Sequence, residues 1–117
     1  MNYTSIPQSK HLLELGLKPE TADMHYMGDI VGIVPFNVVS NIKTKYPHSI
    51  KDIIPCWSVG ALLELMPKIL SLKPIIDLED NTIYYSGTDI IKEGKTLMEV
   101  TYNMIVWLLK NEYIKTE

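Results

Sequence analysis

The sequence predicts one α+β domain spanning residues 1–117, in which three to four helices pack on one face of a small antiparallel sheet. Three observations lead there. Thr96 opens a capped, largely apolar segment that runs to Lys110 or Asn111, the pattern of a core helix. Residues 75–86 alternate around Asp80-Asn81 as a hairpin does. Two further leucine-bearing segments follow Ser5 and Ser58, residues suited to helix N-caps. A chain of 117 residues buries roughly two thirds of the surface its unfolded form exposes, enough for one core.

The first helix opens at Ser5, with Gln8 placed to complete a capping box and Pro7 tolerated in the first turn. Leu12, Leu13 and Leu15 form its apolar side, and Gly16 suits its C-terminal stop. Pro19 then favours a short helix through Met24. Ile30, Val31, Ile33 and Val34 favour a strand, interrupted by Gly32 and ended by Pro35. Asn37 to Tyr46 reads either as a short helix, with Val38, Ile42 and Tyr46 four apart, or as a second extended piece. Pro47 and Pro55 bound a connecting segment.

Ser58 caps a further helix from Val59 to Met66, with Val59, Leu62, Leu63 and Met66 on one face and Pro67 ending it. The hairpin joins Ile75–Glu79 to Thr82–Ser86 through a two-residue loop at Asp80-Asn81. That register puts Ile76, Leu78, Ile83 and Tyr85 on a buried face, and Asp77, Glu79, Thr82 and Tyr84 on a wet one. A third strand fits Thr88 to Lys92, broken by Glu93-Gly94-Lys95. In the last helix Thr96 and Glu99 form a capping box. Only Glu99, Asn103 and Lys110 make a polar stripe there, so the helix belongs in a core or at an interface. SKHLLEL at Ser9 to Leu15 and SVGALLEL at Ser58 to Leu65 echo one another as helix grammar, short of the three units a solenoid needs.

Composition excludes several classes of function. All 11 basic residues are lysine, against 14 acids, for a net charge of -3. The first 58 residues hold five of each sign and the remainder six lysines and nine acids, so neither half is a nucleic-acid footprint. Arginine, the residue of bidentate base and phosphate contacts, is absent. The longest apolar run, Met104 to Leu109, is far short of the ~20 residues of a membrane span. The N-terminal stretch lacks the form of a secretory signal, and Cys56 is the only cysteine. The expectation is a cytosolic protein, with no membrane and no nucleic-acid partner.

No motif specifies a catalytic, cofactor or metal site. The six glycines form neither a phosphate loop nor a nucleophile elbow. Asp23, His25 and Asp29 are ligand types, but Asp23 and His25 are two apart and converge only in a strand or loop; a helix end with a solvated histidine is the plainer reading. Cys56 with His48 suggests thiol chemistry, yet Cys56 sits between Pro55 and Trp57 in an apolar stretch, as a core residue would. His11, near Glu14, reads as solvent-facing. Trp57, Tyr84 and Trp107 are better candidates for contact with another protein than for catalysis.

Three stretches together, SKHLLELGLKPETADM (Ser9 to Met24), IPCWSVGALLELMP (Ile54 to Pro67) and TLMEVTYNMIVWLLKNEYI (Thr96 to Ile114), resemble small uncharacterised proteins of Bacteroides-type phages, prophages and other mobile elements. The resemblance implies provenance and carries no activity or catalytic residue with it. The expected function is therefore that of a non-enzymatic accessory protein. It would bind an unidentified protein partner or self-associate, without a cofactor. The alternative is a small metal-dependent or thiol-dependent enzyme or regulator built on Asp23, His25 and Asp29, or on Cys56 and His48.

Overall fold

The computed structural model describes residues 2–27, 30–33 and 53–116. Helix α1 (Ile6–Glu14) begins on a complete capping box: the Ser5 hydroxyl accepts from the Gln8 amide at 3.3 Å, and Gln8 Oε1 accepts from the Ser5 amide at 2.9 Å. It ends in a Schellman motif, with Leu17 N–H donating to Leu12 and Gly16 N–H to Leu13. Gly16 takes φ +93, and a Cβ there would lie 2.7 Å from the Thr116 Cβ, so both backbone and packing select glycine.

The short helix expected from Pro19 to Met24 is a 3-10 turn, Pro19–Thr21, followed by strand β1 (Met24–Met27). Ala22 already has extended backbone, and the pairing of Met24–Met27 with strands on both sides holds this stretch extended. Strand β1 pairs antiparallel with β2 (Ile30–Gly32) on one side and β3 (Ile53–Cys56) on the other. The expected strand at Ile30 is thus present, while its end at Val34 and Pro35, the segment Asn37 to Tyr46 and Pro47 lie outside the described residues. Pro55 does not bound a connection; it lies within β3, an edge strand, where a missing N–H is tolerated.

Helix α2 (Val59–Leu65) starts at Ser58 as expected. The hairpin consists of β4 (Ile75–Asp77) and β5 (Thr82–Tyr84), with Ile76 opposite Ile83, so the register differs by two residues from the expected one and the loop is 78–81. The reason is an Asx turn: Asp77 Oδ1 accepts from the amides of Glu79 and Asp80, ending the strand early. A shift of two keeps the same faces, because side chains alternate. Strand β6 (Ile91–Glu93) starts later than Thr88, since the Thr88 hydroxyl donates to the Tyr85 carbonyl and accepts from the Ile90 amide, holding that stretch as a turn.

Helix α3 (Leu97–Lys110) carries half of the capping box: Thr96 Oγ1 accepts from the Glu99 amide, while Glu99 Oε2 takes the Lys95 amide in place of that of Thr96. Gly94 lets the chain enter this turn, because a Cβ there would stand 2.8 Å from the Val100 nitrogen.

The architecture is α+β, but the described strands form two three-stranded antiparallel sheets, β2-β1-β3 and β4-β5-β6, instead of one. Helix α2 and the proline-bounded stretch Pro67 to Pro74 separate β3 from β4 in the chain, and each sheet closes on its sequence neighbours. The all-round apolar character of α3 has a core explanation: Met98, Val100, Met104, Ile105, Leu108 and Leu109 are buried against α1, α2 and the inner face of the second sheet.

Candidate binding surface

Asp23 and Cys56, two of the residues with catalytic or ligand chemistry, serve the fold. Asp23 clamps the start of α2: its Oδ1 accepts from the Ser58 amide at 2.9 Å and its Oδ2 from the Ser58 hydroxyl, which itself accepts from the Ala61 amide. His25 is buried on β1 opposite Gly32 and Pro55, in place of the solvated helix end expected from the sequence. Asp29 and His48 lie outside the described residues. Among the described residues, no group of three or more metal-ligating side chains converges.

Cys56 is buried, as a small core residue should be. Burial pushes its thiol pKa up, opposed by hydrogen bonds from Thr4 and Tyr26, with Asp23 adding to the rise. A thiol held protonated in this way is a poor nucleophile. Its neighbour Tyr26 donates to the Thr4 carbonyl at 2.7 Å, and burial, reinforced by the nearby Cys56, raises its phenol to about 12. All of this belongs to one buried knot. Thr4 bonds to the Trp57 backbone in both directions, its hydroxyl meets Ser9 Oγ at 2.8 Å, and Cys56 Sγ donates to its carbonyl.

His11 is also not free in solvent. Its Nδ1 lies 2.6 Å from the Tyr102 hydroxyl, joining α1 to α3.

The three contact candidates separate. Trp57 is fully buried, with its indole N–H donating to Thr21 Oγ1, so it presents nothing to a partner in this fold. Trp107 is half-buried and already sandwiched: Tyr113 stacks on it at 5.5 Å, and the Lys92 ammonium stands 5.7 Å from its centroid. A shallow groove of about 360 Å³ runs beside it, lined by Lys92, Asn103, Val106, Trp107 and Lys110. A second of about 340 Å³ lies between the starts of α1 and α3, where Gln8 and Glu99 are engaged in capping.

Tyr84 leads to the most unusual surface. The register aligns Ile75, Tyr84 and Ile91 in one cross-strand row on the face of the second sheet turned away from Ile83 and α3. Ile75 is 42% and Ile91 51% exposed. No protein-family model, curated protein or solved structure matches the chain. The surface must therefore be read from its own chemistry.

The same stretch of chain holds further open apolar side chains, Leu70, Leu72, Ile76 and Leu78. The sequence register placed Ile76 and Leu78 on the buried face; the four-residue loop leaves Leu78 in the turn at 68% exposure, and Ile76 on the edge strand is only partly covered. Leu70 was not foreseen at all. It sits with Ser71 at the tip of a tight turn closed by two backbone bonds between Ile69 and Leu72, and both tip residues have positive φ, 52 and 68. A leucine in the left-handed region costs about 1–2 kcal/mol, and it is 68% exposed as well. The uncharged run Ile69-Leu70-Ser71-Leu72, without glycine or asparagine, was the available signal for a conspicuous apolar tip.

Proposed function

We propose that this chain is a non-enzymatic protein-binding module, an accessory protein of a phage or mobile element acting in the bacterial cytoplasm. The provenance rests on the resemblance of the three helical stretches. The binding reading rests on one observation: Ile75 and Ile91 flank the half-buried Tyr84 in one exposed cross-strand row, within a stretch of chain, 70–91, in which Leu70, Leu72, Ile76 and Leu78 are exposed as well. Single exposed apolar residues are ordinary, whereas a cluster of them is the usual mark of an interaction surface. A strained, exposed leucine such as Leu70 is the type of anchor that becomes worthwhile only when a partner buries it.

The Asp23, Cys56 and His25 environments favour no catalytic alternative, since the carboxylate serves a helix cap and the thiol is buried and protonated. Among the described residues no helix is long and apolar enough to cross a membrane, which agrees with a partner met in solution.

The test compares wild-type protein with an Ile75→Ser/Leu70→Ser/Ile91→Ser variant. Both are used for light-scattering chromatography and for capture of partners from a bacterial host lysate. The expected result is self-association or a retained partner for the wild type, lost in the variant while its circular dichroism is unchanged. A wild-type monomer that retains nothing, or a partner held equally by the variant, would overturn the reading.

A further inference from the structure

The exposed row lies beside a sheet edge whose hydrogen-bonding groups can be assigned one by one. Tyr85 N–H donates to the Ile90 carbonyl at 3.0 Å, and Gly94 N–H donates to the Asn81 carbonyl at 3.2 Å. In an antiparallel ladder bonded pairs alternate with non-bonded ones, so Ile83 and Lys92 form the bonded pair between these two. Lys92 therefore spends its backbone groups on β5, and those of Ile91 and Glu93 point out of the sheet. The same phase turns Thr82 and Tyr84 toward β4, where they bond with Asp77 and Ile75, leaving only Ile76 facing outward on that side.

The two edges differ in protection. Beside Ile76, Pro74 has no N–H to offer, and the Asx turn ends β4 at Asp77, so that edge is blunted. Strand β6 has no comparable guard. Its one lysine, Lys92, is turned to the inner face, over Trp107. Ile91 and Glu93 are exposed, and β6 has no further neighbour among the described strands.

The charge around this edge selects the occupant. Residues 75–93 hold five carboxylates, Asp77, Glu79, Asp80, Asp89 and Glu93, against Lys92 alone. Asp77, Thr82 and Glu93 align as the row next to Ile75, Tyr84 and Ile91 on the outer face. A second copy docked here would bring two such acidic sets together, so a copy of this chain is disfavoured. Building on the protein-binding reading above, we infer that the open edge of β6 accepts an extended, lysine- or arginine-bearing segment of another protein as an added strand. Backbone bonds to Ile91 and Glu93 would hold the segment, its apolar side chains would continue the Ile75-Tyr84-Ile91 row, and its basic ones would meet Glu93 and Asp89.

The probe is a ten-residue peptide with threonine at every second position and valine and lysine taking turns at the positions between, so that both lie on the outer face with Ile91 and Glu93, and the control is the same peptide with every lysine replaced by glutamate. Both are titrated into isotopically labelled full-length protein and followed by amide chemical shifts. We expect the lysine peptide to bind, with the Ile91 and Glu93 amides shifting most and gaining protection from hydrogen exchange. Ile91→Pro removes the outward N–H without touching a ladder bond, and should abolish binding; Ile76→Pro does the same on the other edge and should leave binding intact. Glu93→Lys, which requires no backbone change, should weaken binding about tenfold or more, and it decides the matter if Ile91→Pro fails to fold. Equal binding of the glutamate peptide, shifts centred away from β6, or no binding of the lysine peptide would overturn the inference. Such a failure leaves the protein-binding function standing if partner capture is still lost in the serine variant, and both fall if nothing is captured.

Discussion

Replacing Thr4 by valine isolates the knot that fastens the N-terminus to the rest of the molecule. Thr4 is fully buried. Its hydroxyl accepts from the Trp57 amide at 3.0 Å and shares a 2.8 Å bond with Ser9, also fully buried. Valine has nearly the same shape, so no cavity opens, but the Trp57 N–H and the Ser9 hydroxyl each lose this partner. An unsatisfied buried group costs about 1–3 kcal/mol. Ser9 sits in α1 and can turn its hydroxyl to a carbonyl one turn back, so we count it at the low end, for a total of about 2–4 kcal/mol. Against a typical domain stability of about 5–15 kcal/mol, that is a large fraction. Urea unfolding followed by tryptophan fluorescence measures it, since Trp57 is in the core. The expected result is a lower midpoint with an unchanged slope. Thr4→Ser keeps the hydroxyl and loses only a methyl, and should cost about 1 kcal/mol. Thr4→Val within about 0.5 kcal/mol of wild type, or Thr4→Ser worse than Thr4→Val, would show that packing and not hydrogen bonding holds the strap.

Helix α3 ends in a Schellman motif with Glu112 at φ 63, so Glu112→Gly should raise the unfolding free energy by about 0.5–1 kcal/mol, while Gly16→Ala, at φ +93 and against Thr116, should lower it by more than that. Thermal melts of the two variants must move in opposite directions. Leu70→Gly relieves the left-handed tip and should also stabilise the free protein, by about 1 kcal/mol, while weakening partner capture; a destabilised variant would contradict the strain at this turn. Folded Tyr26 and Tyr85 have pKa values raised from 10.0 to about 12, and that of Cys56 is raised above 9.0. Folding therefore favours their protonated forms, so their contribution is complete below pH 9 and is lost as pH rises through the folded values. The urea midpoint should fall steadily from pH 9 toward pH 12; a flat profile would refute the raised values.

The parts of the fold governed by local rules were legible in the sequence. Ser5 with Gln8, Gly16, Ser58 and Thr96 mark helix ends through hydrogen bonds to residues three to five positions away; the first three act as read, and Thr96 caps its helix while Glu99 turns to Lys95. Where a local bond competed with a regular pattern, the reading slipped. Asp77 captures two amides and moves the hairpin by two residues, and Thr88 delays β6. His25 and Pro55 read as a helix end and a loop because their strand pairing with one another depends on residues thirty positions apart. Of the contact candidates, Tyr84 lies on the outer sheet face where the sequence put it, Trp57 proved to be core, and the exposed Leu70 tip was missed.

The sequence by itself determined the α+β class, the starts of the three capped helices and the absence of a basic footprint, because caps, periodicity and charge are properties of neighbours along the chain. Tertiary structure alone decided that the strands split into two sheets, that Thr4 is the centre of a buried network, and that Ile75, Tyr84 and Ile91 form an uncovered row. Each of these depends on which distant groups compete successfully for the same backbone partners and the same buried volume. Periodicity can say that one face of a strand is apolar, but only the packing of α3 against Ile83 shows which face was covered and which remained exposed.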